Sequence, residues 1–175
     1  MCSKVKLGDI CDIECGKGVY ANIVKGSYPY VKGNLEIISS TAFTHETECI
    51  LFTRMCEMGN VIYWNKGKFT PNHNLFIIIK KANVNLDYRY LYLYLLSNKN
   101  KIIQTLSRND TNIPTINIKD LQSFYVDIPS LELQLELVEY HNLLEEKEKK
   151  IQKQKELFLT LFQYDVSVLS FINSI

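Results

Sequence analysis

Apolar and polar residues alternate along this chain in two regimes, short extended runs broken by one helical stretch up to about residue 129 and unbroken helical spacing after it. In the first regime, Ile50-Leu51-Phe52-Thr53 and Val61-Ile62-Tyr63-Trp64 read as strands flanking a loop around Gly59. Asn74 to Lys81 (NLFIIIKK) is β-branched and bounded by polar residues, the signature of a buried strand. Tyr28-Pro29-Tyr30-Val31 is held extended by its proline, and Lys6 to Cys15 begins with a turn leading into a short helix or strand. Asn65-Lys66-Gly67-Lys68 predicts a turn. From Asp87 to about Leu106 the apolar residues Leu91, Leu95, Leu96, Ile102, Ile103 and Leu106 recur at helical spacing, with Asp87 placed to cap them. After a polar loop at 107–112, strands are expected over Ile113–Ile118 and Ser123–Ile128.

The second regime is one long helix. Ser130 is a suitable N-cap, and Glu132 faces the positive end of the helix dipole. Leu137, Leu144, Ile151 and Phe158 stand seven apart, as one row of a heptad; the matching row is Tyr140, Lys147, Gln154 and Leu161. The pairs Glu145–Lys149 and Glu146–Lys150 support the helix by roughly 0.3–0.5 kcal/mol each. From Ser130 to Gln163 such a helix would extend roughly 50 Å. The expected organisation is an α+β body over residues 1–129, a long helix over 130–165, and an apolar tail over 166–175 that docks.

Composition adds three constraints. Hydrophobic residues make up 46% and charged residues 22% of the 175, enough for a packed core. No apolar run reaches the roughly 18 residues of a membrane span, and residues 1–8 lack the core of a secretory signal. With five cysteines, an odd number, the expectation is a cytoplasmic protein with free thiols and no disulfide framework. The net charge of +1 hides an asymmetry. Residues 1–129 hold 15 Lys and Arg against 11 Asp and Glu, a balance of +4, whereas residues 130–175 hold 5 against 8. A polyanion would meet the body.

Taken in order, these pieces resemble a half-length specificity (S) subunit of type I restriction–modification systems, one target-recognition domain followed by one conserved-region helix. The likeness rests on Val5-Lys6-Leu7-Gly8-Asp9-Ile10, Tyr28-Pro29-Tyr30-Val31-Lys32-Gly33, Ile50-Leu51-Phe52-Thr53-Arg54 with Gly59-Asn60-Val61, and Tyr90-Leu91. Its strongest part is Ile128-Pro129-Ser130-Leu131-Glu132-Leu133-Gln134 with Val138 at the helix entry. The chain departs from the family at Ser130, often a second proline, and at Met55-Cys56-Glu57-Met58, where a glycine often follows the arginine. Full-length members carry two such units in tandem; this chain has one.

The resemblance implies sequence-specific binding of double-stranded DNA through loops on one face, one chain reading one half of a bipartite site. Lys17, Lys25, Lys32, Lys66, Lys68 and Arg108 are the candidates for phosphate contacts, which position a protein without specifying sequence. Arg54, Asn34, Asn72 and Asn109 carry the forked donor and acceptor chemistry that reads guanine or adenine edges. Tyr20, Tyr30 and Trp64 could pack on sugars or near bases, although aromatic residues of this kind also serve as core packing. In the family the two helices pack antiparallel as a coiled coil that spaces the recognition domains. With one helix here, Leu137, Leu144, Ile151 and Phe158 would pair with a second copy in a homodimer, or with a different half-subunit. The family also recruits an adenine-N6 methyltransferase subunit and an ATP-driven translocase subunit. S-adenosylmethionine and ATP would bind those partners, leaving this chain without a cofactor.

Enzyme signatures are missing from the sequence. No Gly-x-x-x-x-Gly-Lys-Ser/Thr loop occurs, nor the Asn/Asp-Pro-Pro-aromatic motif of an amino-methyltransferase. Cys11, Cys15, His45, Cys49 and Cys56 are spaced unlike a zinc knuckle, so no metal site is expected. A non-enzymatic coiled-coil scaffold without DNA specificity remains the competing reading.

Overall fold

The structure, a computed structural model, describes residues 3–18, 26–55, 60–108 and 114–172, the last ten as backbone alone. Two compact units divide the chain, Met1–Leu135 and Glu136–Ile175. The first is an α+β body, and the long helix that follows supplies the second.

Two four-stranded sheets build the body. One is antiparallel and runs β2 (Cys11–Cys15), β9 (Leu75–Lys80), β6 (Cys49–Thr53), β7 (Val61–Trp64). The other runs β4 (Ile37–Ser40), β3 (Tyr28–Val31), β8 (Lys68–Pro71), β5 (His45–Glu46), with β3 and β8 parallel in register Tyr30↔Thr70. All five residues of β6 are buried. Burial of every residue, four of them apolar, marks a strand covered on both faces. On one face Leu51, Ile77, Leu75, Cys49 and Trp64 meet Val31 and Phe69 of the second sheet. By the strand alternation, Ile50 and Ile78 take the other face together with Tyr63, which stands opposite Ile50 and whose ring lies 6.2 Å from that of Tyr88. Tyr88 opens α2 (Tyr88–Leu106), so a helix covers that side. Ile77 is fully buried between the sheets. Ile77→Ala is expected to lower the unfolding free energy in urea titration by about 2–5 kcal/mol. A loss below about 1 kcal/mol would remove it from the core.

α2 begins where the spacing predicts, with Asp87 accepting a hydrogen bond from the Tyr90 amide at 2.9 Å. Of the strand expected over Ile113–Ile118, the described residues keep only Thr115–Ile116, and Ile113 lies outside them. β10 (Ser107–Arg108) pairs only with the two residues of β11 (Thr115–Ile116), and α3 (Ile118–Ser123) is helical. The run Ile113-Pro114-Thr115-Ile116-Asn117-Ile118 alternates like a strand, but Asn117 stands at the N-cap position and Asp120 lies in the first turn, local features that favour a helix start. β12 (Tyr125–Ile128) then pairs antiparallel with β1 (Ser3–Lys6), and Lys6 leads into the four-residue α1 (Leu7–Ile10). The two ends of the body therefore meet beside the start of the last helix.

That helix, α4, spans Leu131–Ile172, about 63 Å at 1.5 Å per residue. Ser130 accepts from the Leu133 amide through its hydroxyl at 3.4 Å, as an N-cap does. Its backbone stays helical past residue 165, where the pattern predicts a boundary, because neither glycine nor proline interrupts the sequence from 131 to 172. No helix among the described residues is long and apolar enough to cross a membrane.

Candidate nucleic-acid interface

Strand direction decides which candidate residues can act together. β2 and β6 run the same way, and β9 and β7 run against them, so Cys15, Thr53, Leu75 and Val61 share one end of the first sheet. The second sheet presents Val31 and Pro71 at that same end, since Gly18 donates its amide to the Pro71 carbonyl at 2.8 Å and bridges Asn72. Loops leaving these strands therefore carry Lys17, Lys32, Asn34 and Arg54 to one place. β11 joins them through the Ile116 amide, which donates to the Arg54 carbonyl at 3.0 Å, and so brings Arg108 alongside.

Two buried residues hold this end in shape, and both were expected on the DNA. Tyr30 and Asn72 are fully buried. The Asn72 side-chain amide donates to the Tyr30 hydroxyl at 2.8 Å, and its oxygen accepts from the Asn74 amide at 2.9 Å. Their polar atoms are thus occupied inside the protein, and neither reaches a base or a sugar in this fold. The expectation is corrected for both: they are scaffold. Gly16 belongs to the same arrangement, since a Cβ there would lie 2.1 Å from the Asn72 carbonyl oxygen. Trp64 is also core, its indole N–H donating to the Gly67 carbonyl at 3.0 Å.

Lys66 and Lys68 do not join the cluster. The β7–β8 turn with Lys66 and the start of β8 with Lys68 sit at the Cys49 and Trp64 end of the strands, about 10–13 Å from the Thr53 end at 3.3 Å per residue. Lys66 lies over the Trp64 ring at 5.9 Å; Lys68 lies over the Phe43 ring at 4.7 Å with Glu46 at 3.8 Å. Tyr20, Lys25 and Asn109 lie outside the described residues.

Within the cluster, electrostatics separates one residue from the rest. Lys32 holds Glu36 at 2.9 Å, and this hydrogen bond and charge keep the Glu36 carboxyl below its usual range. Arg108 grips both oxygens of Asp120 at 2.8 Å, and Lys17 stands 4.0 Å from Glu14. Such surface pairs are worth at most about 1 kcal/mol and exchange readily for a stronger anion. Arg54 has no carboxylate partner among the described residues. Its guanidinium lies over the Phe76 ring at 5.6 Å, donates from Nη1 to the His73 carbonyl at 3.4 Å, and has a buried Nε without an acceptor among the described residues. The guanidinium is therefore oriented, and no described carboxylate compensates its charge. Exposed His73 lies in the same loop as Asn72 and was not foreseen; its only signal is its place between two strands whose ends converge here.

The cysteines do not make a metal centre among the described residues, where no three His, Cys, Asp or Glu side chains gather. Burial, reinforced by Asp12 beside Cys11 and by Glu14 beside Cys49, pushes both thiols up to about 12 and keeps them protonated.

α4 carries the other expected surface. Leu137, Leu144, Ile151 and Phe158 are all exposed, from 41% at Leu144 to 67% at Phe158. Four large apolar side chains in one helical row exceed what an isolated charged helix normally leaves to water.

A family model for the type I restriction modification DNA specificity domain matches residues 2–161. A search of curated protein sequences finds no match. Among solved structures, the S subunit of the type I restriction-modification system from M. genitalium aligns with a TM-score of 0.70 at 19% identity, over 83% of this chain and 39% of that one. A structure describing the complex assembly and conformational transition of the type I R-M system gives 0.66 at 19% identity, over 83% and 38%. The HsdS subunit from Thermoanaerobacter tengcongensis gives 0.62 at 19% identity, again over 83% and 38%. At such identity the likeness speaks for the fold, and this chain spans about two-fifths of the length of those it matches. With the family model covering the body and most of α4, the chain belongs to the type I restriction modification DNA specificity domain family.

Proposed function

We propose that this chain is a non-catalytic specificity module that binds double-stranded DNA, one chain reading one half of a bipartite site. The observation that carries this reading is the convergence of Lys17, Lys32, Asn34, Arg54 and Arg108 at one end of the body, with no carboxylate against the Arg54 guanidinium among the described residues. Lys17, Lys32 and Arg108 would supply charge to phosphates, while Arg54 and Asn34 carry the donor and acceptor chemistry for base edges. The exposed row on α4 supports pairing with a second copy, a symmetric arrangement suited to an inverted repeat, or with another half-subunit. The module would serve a type I restriction–modification system or a system of adenine methylation alone. An adenine-N6 methyltransferase subunit, and a translocase subunit where cleavage occurs, would be its partners. S-adenosylmethionine and ATP would be held by them.

Three phosphate contacts per chain imply a marked response to salt. For duplex DNA, the logarithm of the binding constant should fall with the logarithm of salt concentration at a slope of about −3 per chain. Binding that is absent at low ionic strength, or indifferent to salt, would leave the scaffold reading, in which α4 assembles chains and DNA plays no part.

A further inference from the structure

Gln134 is polar, lies in the first turn of α4, and is fully buried. Each polar atom of its carboxamide is used. Oε1 accepts from the Asp87 amide at 2.8 Å, and Nε2 donates to the Asn85 carbonyl at 3.1 Å and the Pro129 carbonyl at 2.9 Å. Its backbone amide closes the first helical turn on the Ser130 carbonyl at 3.0 Å. Asp87 is itself the N-cap of α2, and Tyr90, one turn further, donates to the Asp127 carbonyl at 2.6 Å. One side chain therefore ties together the first turn of α4, the loop before α2 and the end of β12. A buried aliphatic residue would hold that turn by packing alone; a carboxamide with three bonds also fixes its rotation, because hydrogen bonds are directional.

We infer that Gln134 is a positioning residue for bipartite recognition: by clamping the first turn of α4 to the body, it sets the gap between half-sites that a paired molecule accepts. This inference rests on the bipartite reading above. A rigid spacer concentrates the second head at one span, whereas a loosened joint spreads it over many. Gln134 touches none of the residues assigned to DNA.

The test uses the full chain and duplexes carrying two inverted copies of its selected half-site, with the gap varied one base pair at a time. The parent is expected to prefer one gap by about tenfold over gaps two base pairs away. Gln134→Ala should bind a single half-site within about twofold of the parent yet vary by no more than about threefold across gaps. Should the alanine variant fail to fold, Gln134→Glu keeps the acceptor for Asp87, loses both donations, and should flatten the profile likewise. A folded variant that retains the parent's gap preference overturns the role of Gln134 alone. A parent with no gap preference overturns the bipartite reading and this inference with it.

Discussion

Replacing Leu144 and Ile151 together with glutamate should yield monomers in sedimentation and should abolish the preference for paired over single half-sites. Both side chains are exposed in the chain, so the exchange costs the fold little. In a seam the same exchange is severe. Burying each leucine or isoleucine contributes about 1.5–3 kcal/mol. Two per chain, doubled by symmetry, amount to roughly 6–12 kcal/mol, and four glutamates would then repel one another in a narrow contact. That is enough to take a dimer of ordinary affinity beyond any practical concentration. Helicity measured by circular dichroism should change little, since glutamate is a good helix former. A double variant that remains dimeric would place the contact elsewhere on the molecule.

Arg54→Ala should change which sequence is bound, not only how tightly. A bidentate arginine contact to guanine is worth about 1–3 kcal/mol of discrimination against the wrong base. Losing it should relax one position of the target by roughly 5- to 150-fold, leaving the other positions alone. Arg54 suits this role because its guanidinium is oriented by the His73 carbonyl and the Phe76 ring without being neutralised by a carboxylate among the described residues. Lys66→Ala provides the contrast. At the far end of the strands, with its ammonium over Trp64, Lys66 should alter affinity weakly and equally for all sequences. Selection from random duplexes with each variant separates the two outcomes, and identical behaviour would contradict the division of roles.

The body was legible in the sequence wherever structure is local. Asp87 and the helical spacing behind it mark α2, and the apolar runs at 50–53, 61–64 and 75–80 mark three strands of the first sheet. The second sheet was harder to see. β4 ends in two serines, β5 has two residues, and β8 contains a proline after an expected turn. These segments become strands through pairing with distant partners, as in Tyr30↔Thr70, which no local pattern announces. The site follows the same division. Arg54, Lys17, Lys32 and Arg108 stand out by chemistry, yet their convergence depends on where β2, β3, β6 and β10 end. Tyr30 and Asn72 show the converse failure. A tyrosine and an asparagine near loops look alike whether they face solvent or each other, and only the fold reveals that they bond together in the interior. Gln134 was legible as part of a motif, but its reason, three backbone partners from two segments, was not.

The most direct measurement is selection of bound duplexes from a random pool by the unmodified chain at moderate salt. Two inverted copies of one short sequence, separated by a constant gap, are the predicted outcome. Recovery of no common sequence, or of one unrepeated element bound as tightly as any pair, would contradict it.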